Sequence, residues 1–420
     1  MIQDLRSYVL DLPVFDVHEH HMPEILGNQD VGLIELFWQS YGGWTQARPY
    51  PLASETHFED PMFASVGGGG WEEVARFVEH SGSNAFIRNL IRTLTDLYDV
   101  GEDSITPDNW ERLDTEIRRR HRDGAWQSEV LDRARIDRII TDPFNDPLLD
   151  AHEALGERYC SVLRINALAF GWHPESLDHN GNSAHRFAQQ IGHRLDSFDD
   201  YLAMLEVLMD TMGERHQIGL KNALAYDRSI NFDDVDEELA RQAWGQRDPT
   251  PEQRKAFGDV IVDRLCGLAG ERDVPFQMHL GSAQIRGSHP MNAAGLIDRH
   301  PKTRFLLMHL AFPWSRDLLG LAFVYRNIWL DLTWSALLCP TYFKQSLHEA
   351  IEVLPDESRL MIGGDNWHVE ETYGAIHLMR RLIGEVLQEK VDSGYFKPDD
   401  ARRLARKILS ENASQFFGEP

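Results

Sequence analysis

Short apolar runs rich in β-branched residues alternate with stretches of helical periodicity along most of the chain. Strands of a parallel barrel are covered on both faces, so they read as continuous apolar runs that end on a polar residue at the carboxyl rim. Segments such as FQMHL, FLLMH and MIGGD have this form. The pattern predicts an α/β protein, a (β/α)₈ TIM barrel with strands at residues 14–18, 136–142, 161–167, 217–221, 275–279, 304–309, 328–333 and 359–365.

The first two predicted strands are separated by residues 19–135, far more than one crossover helix needs. An aromatic, Gly- and Pro-rich part is followed by helix-like segments such as EEVARFVEH and NAFIRNLIRTLTDLYDV. We therefore expect a large helical insertion after strand 1, at residues 31–126, that caps the barrel mouth. The whole chain, residues 1–420, is predicted to be one barrel domain with this cap inside it.

Acidic residues outnumber basic ones by 67 to 42, which gives a formal net charge of −25. Nucleic acid is excluded as an expected partner, because phosphate backbones need clustered Lys and Arg. No run of 18 apolar residues occurs, and the N-terminal segment lacks the basic and apolar regions of a signal peptide. We therefore expect no membrane partner and a cytoplasmic protein. Three scattered cysteines are too few for a disulfide framework.

Two histidines, His18 and His20, stand two residues apart at the end of the first predicted strand. The period of two along a strand places both imidazoles on one face. This arrangement suits metal ligation, whereas two unrelated surface histidines would be the alternative interpretation. Asp16 faces the same way and is interpreted as a partner of the ligands rather than a ligand.

The fifth, sixth and eighth predicted strands end in His279, His309 and Asp365. Strand ends lie at one height around the mouth of a barrel, so these side chains and the first pair can surround one divalent ion. Imidazoles with one carboxylate favour Zn²⁺, and Mn²⁺, Fe²⁺ and Co²⁺ are alternatives. The competing interpretation is that these histidines only form hydrogen bonds within the protein. Their shared position at the ends of strands would then be a coincidence.

This arrangement, with Lys221 at the end of strand four, resembles the amidohydrolase superfamily, in particular its amidohydrolase-2-like branch. The resemblance extends over nearly the whole chain. The segments IGLKNALAYDR, HLAFPWSRD and RKILSENASQFFG are similar to the amidohydrolase-like domains fused to glutamine synthetase homologues. The long insertion is similar, more distantly, to that of uronate isomerases, which use a related metal site.

The resemblance implies that His18, His20 and Asp365 hold the metal, and that Asp365 also accepts a proton from the attacking water. It implies that His279 or His309 orients the water or polarises the substrate. Lys221 would be a ligand only when carboxylated, in which case it bridges two metals. Otherwise it binds a substrate anion or forms a structural ion pair.

Candidate substrate contacts lie in or just beyond the strand ends, where barrel enzymes bind their substrates. A buried Arg164 needs either a substrate carboxylate or an acidic residue of the protein as partner. The other candidates, each of which has loop packing as its alternative, are Tyr226, Arg228, His289, Trp314, Trp367 and His368.

The sequence thus predicts a metal-dependent hydrolase that cleaves an amide, lactone or ester bond of a small polar molecule. The alternative keeps the barrel and the metal without hydrolysis, as a decarboxylase, hydratase or uronate-type isomerase, because one metal centre supports many reactions. A small-molecule substrate is the expected partner, and we expect the chain to form a homo-oligomer.

Overall fold

The computed structural model describes residues 4–46 and 69–418. Residues 47–68, which belong to the predicted insertion, lie outside the described residues. The chain divides into two compact units. The first unit contains the described residues up to Ile139 together with Leu332–Ile351 and Met361–Ala413. The second contains Ile140–Asp331, Glu352–Leu360 and the described residues from Ser414 onward. The predicted single domain over residues 1–420 stays a prediction.

In the described ranges, eight strands form one sheet in the order β1-β2-β3-β4-β5-β6-β7-β8, which confirms the (β/α)₈ barrel. Neighbouring strands from β3 to β7 pair in parallel, with Arg164 opposite Lys221 in the first of these pairs. Each strand falls within or beside its predicted segment. The strands are β1 (Val14–Glu19), β2 (Ile136–Thr141), β3 (Tyr159–Arg164), β4 (Gln217–Asn222), β5 (Phe276–Met278), β6 (Phe305–Leu307), β7 (Ile328–Asp331) and β8 (Leu360–Met361).

Backbone hydrogen bonds inside the first unit connect β1 to the chain that leaves β8. The amide of Val17 donates to the carbonyl of Ile362 at 3.0 Å, and the amide of Asp365 donates to the carbonyl of His18 at 2.8 Å. The first strand therefore runs beside the last one, as closure of a barrel requires.

The insertion predicted after strand 1 is helical in the described residues. Asn84 shows how one of its helices begins, because its side chain accepts hydrogen bonds from the amides of Phe86 and Ile87. The helices before β2 are α1 (Leu5–Leu10), α2 (Pro23–Leu26), α3 (Leu33–Trp38), α4 (Tyr41–Gln46), α5 (Trp71–Val78), α6 (Ala85–Leu97), α7 (Trp110–His121) and α8 (Trp126–Arg133).

Helices follow the later strands in the alternation that the sequence predicts. The long helix before β5 begins with a capping box in which Thr250 and Gln253 satisfy each other's backbone amides. The helices from β2 to β8 are α9 (Ala151–Leu155), α10 (Ala184–Gln190), α11 (Phe198–Asp210), α12 (Glu237–Ala243), α13 (Pro251–Glu271), α14 (Ala294–Arg299), α15 (Ser315–Val324), α16 (Ser335–Leu338) and α17 (Pro340–Val353).

The chain closes with helices α18 (Val369–Asp392), α19 (Pro398–Arg406) and α20 (Asn412–Phe417). None of the described helices combines the length and the apolar character that are needed to cross a bilayer. Of the three cysteines, Cys160 and Cys266 are buried and Cys339 is partly exposed, and all three are free thiols.

Candidate metal centre

Two imidazoles of the first unit converge on one carboxylate. Nε2 of His18 lies 3.5 Å from Oδ1 of Asp365, and Nε2 of His20 lies 3.2 Å from the same oxygen. Strand β1 carries His18, and His20 follows one residue after its end. His18 and Asp365 are buried, and the side chain of His20 is only 12% exposed.

Backbone hydrogen bonds join the segment at Asp365 to the end of the first strand. Its amide donates to the carbonyl of His18 at 2.8 Å, and the amide of His20 donates to the carbonyl of Asn366 at 2.8 Å. Asp365 itself has a φ of 66°, in the left-handed region that residues other than glycine rarely adopt. The carboxylate therefore reaches the imidazoles through a strained turn that these hydrogen bonds hold in place.

Two glycines let this turn approach β1 closely. A Cβ atom added to Gly363 would lie 2.6 Å from Oγ1 of Thr333, 2.7 Å from the amide nitrogen of His18 and 2.8 Å from Oδ1 of Asp16. A Cβ atom on Gly364 would overlap the carboxylate of Glu19. The GGD sequence is thus required by the packing of the turn on the strand.

Two further carboxylates bind the backbone of the turn. Oδ1 of Asp16 accepts hydrogen bonds from the amides of His18 at 3.1 Å and of Gly364 at 3.2 Å. Oε2 of Glu19 accepts a bond of 2.6 Å from the amide of Asn366. Burial, with the neighbouring Asp16 carboxylate, raises the pKa of Glu19 well above its usual value. Both residues orient the ligand segments through their backbones.

The electrostatics favour a cation between these side chains. Burial alone would raise the pKa of Asp365, but the charges and hydrogen bonds of His18 and His20 hold that pKa well below its usual value. A tetrahedral ion with bonds of about 2.0–2.2 Å separates its ligand atoms by about 3.3–3.6 Å. The observed separations of 3.5 and 3.2 Å lie close to that range. The two imidazoles and one carboxylate therefore fit a divalent metal in donor type and spacing.

In the second unit, His279 and His309 form a buried pair. Nε2 of His309 lies 3.0 Å from Nδ1 of His279, so one ring donates a hydrogen bond to the other. The chain at His309 has a φ of 62°, and Leu310 and Ala311 are also left-handed. Such a run of positive φ values in residues other than glycine is costly and is typical of functional sites.

The side chain of Lys221 lies on β4 and is 1% exposed. Its Nζ is 2.6 Å from Sδ of Met308, and a thioether is a weak acceptor for an ammonium group. Carboxylation of Lys221, anion binding and a structural ion pair stay the alternative predictions for this residue.

Among the predicted substrate contacts, Arg164 has an acidic partner within the protein. Its Nη1 donates to Oδ2 of the buried Asp142 at 2.5 Å, which supplies the structural partner that the sequence left open. Arg228 is ion paired with the buried Asp259 and donates to the carbonyl of Lys255 at 3.1 Å. Its guanidinium is therefore already engaged by α13.

The other predicted contacts fall in different surroundings. The ring of Tyr226 is 4.5 Å from the ring of His279 between centroids. The rings of His289 and Trp314 are 4.8 Å apart, and Nε2 of His289 is 3.4 Å from Asp317. In the first unit, burial lowers the pKa of His368 to about 4.

Sequence reasoning missed a histidine–carboxylate pair beside Tyr226. Nδ1 of His179 lies 2.8 Å from Oδ2 of Asp227, and Nδ2 of Asn166 donates to the same oxygen at 2.7 Å. The ring of His179 is 5.4 Å from that of Tyr226. The only signal in the sequence is the segment AYDR, in which Asp227 follows Tyr226.

An aromatic cluster beside His20 was also missed, apart from Trp367. The rings of His20 and Trp367 are stacked at 6.0 Å, and Tyr41 lies 4.7 Å from Trp367. Trp334 lies 5.0 Å from Tyr41 and has a φ of 66°. Tyr41 comes from the insertion, so no strand-end rule could have found it.

Comparison with known proteins identifies the family and the fold of the chain. A family model described as Amidohydrolase matches residues 208–418, half of the chain. Protein fluG of Emericella nidulans is 26% identical over 231 residues, which cover 50% of this chain and 27% of that protein. The chain thus spans about a quarter of the length of this curated relative.

Solved structures share the fold over nearly the whole chain. The uronate isomerase of Thermotoga maritima has a TM-score of 0.73 and 15% identity, with 98% of this chain and 96% of that chain covered. The glucuronate isomerase of Caulobacter crescentus has a TM-score of 0.72 and 13% identity, with 99% and 94% covered. A Lactobacillus casei protein described as a candidate metal-dependent hydrolase has a TM-score of 0.68 and 15% identity, with 99% and 97% covered. At these identities the likeness concerns the fold alone.

Proposed function

Because the chain belongs to the amidohydrolase family, we propose that it is a metal-dependent hydrolase that cleaves an amide, lactone or ester bond in a small polar molecule. The observation that carries this proposal is the convergence of His18 and His20 on the carboxylate of Asp365. A buried carboxylate with two imidazoles and a strained backbone is a costly arrangement that a metal site explains.

In this proposal, His18, His20 and Asp365 hold the cation. When bound, a divalent cation polarises the carbonyl group of a substrate and makes water a better nucleophile near neutral pH. Asp365 is ionised because His18 and His20 depress its pKa. As the carboxylate beside the attacking water, it would accept a proton from that water. The backbone bonds to His18 and Asn366 keep that carboxylate in one orientation.

We propose zinc as the metal, with Mn²⁺, Fe²⁺ and Co²⁺ as alternatives, because imidazole and carboxylate ligands suit all four. Lys221, His279 and His309 stay predicted members of the centre, on the general ground that barrel strands end at one rim. A carboxylated Lys221 would make the centre binuclear.

The remaining expectations are part of the same proposal. We propose a cytoplasmic homo-oligomer that acts on a small molecule. A net charge of −25 supports the exclusion of nucleic acid as a partner.

A non-hydrolytic reaction is the second candidate. The observation that favours it is the fold that the chain shares with two sugar-acid isomerases. A decarboxylase, hydratase or uronate-type isomerase would use the same cation to polarise a carbonyl or hold a carboxylate.

Metal content tests the first part of the proposal. We expect about one equivalent of zinc or a similar ion per chain by plasma mass spectrometry, or about two equivalents if Lys221 is carboxylated. His18→Ala and Asp365→Asn should lose the metal. His348→Ala, which changes a partly exposed histidine paired with Glu389, should keep it. A chain that takes up no divalent ion would contradict the proposal.

Isotope incorporation tests the type of reaction. Once a panel of amides, lactones and esters yields a substrate, hydrolysis in H₂¹⁸O should place one ¹⁸O atom in the product acid. Release of CO₂ without ¹⁸O in the organic product, or conversion of a uronate to its keto isomer, would instead establish the second candidate.

A further inference from the structure

The histidine–carboxylate pair beside Tyr226 joins two loops of the second unit. His179 lies in the loop between β3 and α10, and Asp227 lies in the loop between β4 and α12. Nδ1 of His179 is 2.8 Å from Oδ2 of Asp227. Both loops leave the carboxyl ends of their strands, where barrel enzymes assemble their active sites. The pair therefore stands at the end of the barrel that carries function.

The carboxylate of Asp227 is held on both of its oxygens. Oδ1 accepts a hydrogen bond from the backbone amide of His179 at 2.9 Å, and Oδ2 accepts one from Nδ2 of Asn166 at 2.7 Å. Asn166 is buried, and its own Oδ1 accepts from the amide of Ala223 at 2.9 Å. The side chain of Asp227 is only 6% exposed. A carboxylate that is oriented in this way fixes the direction of the imidazole that it binds.

The bond through Nδ1 leaves the second ring nitrogen of His179 for chemistry. Within residues 4–46 and 69–418, Nε2 of His179 has no hydrogen-bond partner, and the side chain is 31% exposed. His348 is 30% exposed but uses its Nε2 to bind Glu389. Histidines that transfer protons in enzymes commonly have Nδ1 on a carboxylate and Nε2 toward the substrate. His179 has the first of these features, and its Nε2 meets no group of the protein.

A row of rings connects His179 with the buried histidine pair of the second unit. The ring of His179 lies 5.4 Å from that of Tyr226, which lies 4.5 Å from that of His279. His279 in turn lies within hydrogen-bond distance of His309. Because the two ring distances add up to 9.9 Å, the rings of His179 and His279 are no further apart than that. His179 therefore stands close to the predicted strand-end residues of β5 and β6.

A second pair in the same unit shows what pairing alone would mean. Nδ1 of His216 lies 3.0 Å from Oδ2 of Asp150, and this histidine is also partly exposed. His216 directly precedes β4, so this pair stands at the amino end of that strand. Residues at that end of a barrel contribute to stability rather than to catalysis. The pair of His216 and Asp150 is therefore a structural match for the pair of His179 and Asp227 without its location.

We propose that His179 is the catalytic acid of the hydrolysis and that Asp227 is the residue that positions it. As the bond between the carbonyl carbon and the leaving atom breaks, the electron pair of that bond stays on the leaving atom. The proton on Nε2 of the protonated ring moves to the same atom. The ring is left neutral, with its remaining proton on Nδ1 bound to Asp227, and solvent restores the proton on Nε2.

This inference rests on the proposed function and narrows its substrate class. A positioned acid is needed for leaving groups that depart only when they are protonated, as the nitrogen of an amide or the oxygen of an alkyl ester does. It adds little for a leaving group that departs as a stable anion. We therefore expect substrates of the first kind.

Two compounds of the same shape test this role. 4-Nitroacetanilide and 4-nitrophenyl acetate differ in the leaving atom, which is a nitrogen that needs a proton in the first and an oxygen that leaves as an anion in the second. His179→Asn keeps a donor at the position of Nδ1 and removes Nε2. In the zinc-loaded protein, we expect this change to lower kcat about 100-fold for the anilide and less than about tenfold for the ester.

Control variants separate catalysis from folding. His216→Asn makes the same change in the pair with Asp150 and should leave both rates as they are in the wild type. The melting temperature of His179→Asn should stay close to that of the wild type, because the bond to Asp227 is kept. Asp227→Asn should also slow the anilide more than the ester. If His179→Asn does not fold, His179→Gln should show the same selective loss, because an amide does not act as an acid.

The outcomes separate this inference from the proposed function. Equal losses on the two compounds, or no loss on the anilide, would overturn the acid role of His179. If Asp365→Asn abolishes both reactions and His179→Asn affects neither, the chain is a hydrolase without this acid. A wild-type protein that turns over only the ester, or neither compound, would also overturn the acid role, and metal content and isotope incorporation would still decide the hydrolase.

Discussion

The carboxylate of Glu370 accepts a hydrogen bond from the imidazole of His121, with 2.9 Å between Nε2 and Oε1. The hydroxyl of Tyr98 and the indole of Trp126 donate to the same oxygen at 2.6 and 2.8 Å. All four residues are buried. Glu370 lies in the first turn of α18, five residues after Asp365. One carboxylate therefore fastens the helical insertion to the helix that follows the candidate metal centre.

We expect Glu370→Gln to destabilise the protein by about 2 kcal/mol, because it weakens hydrogen bonds to a buried charged group. The loss should depend on pH. Burial opposes the charge of His121, but Glu370 outweighs it and raises the pKa of His121. Likewise, burial would raise the pKa of Glu370, but His121 and its other partners lower it.

A histidine with a raised pKa stabilises the folded protein fully at pH values below its ordinary pKa of about 6.5. This contribution is lost as the pH rises through the raised pKa. A carboxylate with a depressed pKa stabilises the folded protein fully at pH values above its ordinary pKa of about 4.3. This contribution is lost as the pH falls toward the depressed pKa. In urea unfolding, the free energy of unfolding should therefore differ more between wild type and Glu370→Gln at pH 5.5 than at pH 8.5. Glu389→Gln, on the outer surface of the same helix, should show only a small difference, and equal losses in the two variants would contradict the assignment.

Replacing Gly363 with Ala should destabilise the protein by about 1–3 kcal/mol, as overpacking generally does. The added methyl would press on Thr333, His18 and Asp16, so zinc affinity should fall as well. Gly320→Ala serves as the control, because nothing lies within 4 Å of its added Cβ in α15. That change should stabilise the helix by about 0.5–1 kcal/mol. Thermal unfolding and zinc titration of both variants would check the contrast.

Removal of metal should lower the melting temperature of the wild-type protein, because the native state alone presents the assembled ligands. Free zinc at 100 times its Kd would stabilise the chelated protein by about 2.7 kcal/mol. Asp365→Asn should show no such rise at the same zinc concentration. A zinc effect of equal size in this variant would mean that the ion binds elsewhere.

Changing Asp227 to Asn should disturb the histidine beside Tyr226. The carboxylate of Asp227 accepts three hydrogen bonds. They come from Nδ1 of His179, from the backbone amide of His179 at 2.9 Å and from Nδ2 of Asn166. An Asn side chain offers one oxygen, so one of these donors would face an NH₂ group, at a cost of about 1–3 kcal/mol. ¹⁵N shifts of labelled histidine should place the proton of the neutral His179 ring on Nδ1 in the wild type, because the Asp227 carboxylate accepts it. A neutral ring protonated on Nε2 in the wild type would contradict this role of Asp227.

The sequence by itself determined the barrel and the residues at its strand ends. Buried parallel strands must be apolar on both faces, so their runs are visible without knowledge of their neighbours. The predicted end of the eighth strand was wrong. Asp365 was predicted to end a strand over residues 359–365, whereas β8 covers Leu360–Met361 and Asp365 follows it in a left-handed conformation. Local pattern does not encode that turn, which depends on the contacts of Gly363 and Gly364 with β1.

Only the tertiary structure decided which polar groups meet. Arg228 was predicted to contact substrate from its place after Lys221, but packing against α13 pairs it with Asp259. His121 and Glu370 are 249 residues apart in the chain, and Tyr41 of the insertion packs on Trp367, two residues after Asp365. Periodicity shows which face of an element is buried. The partner of that face is fixed by packing between distant segments. The sequence alone therefore predicted candidate ligands near the strand ends but not the side chains that surround them.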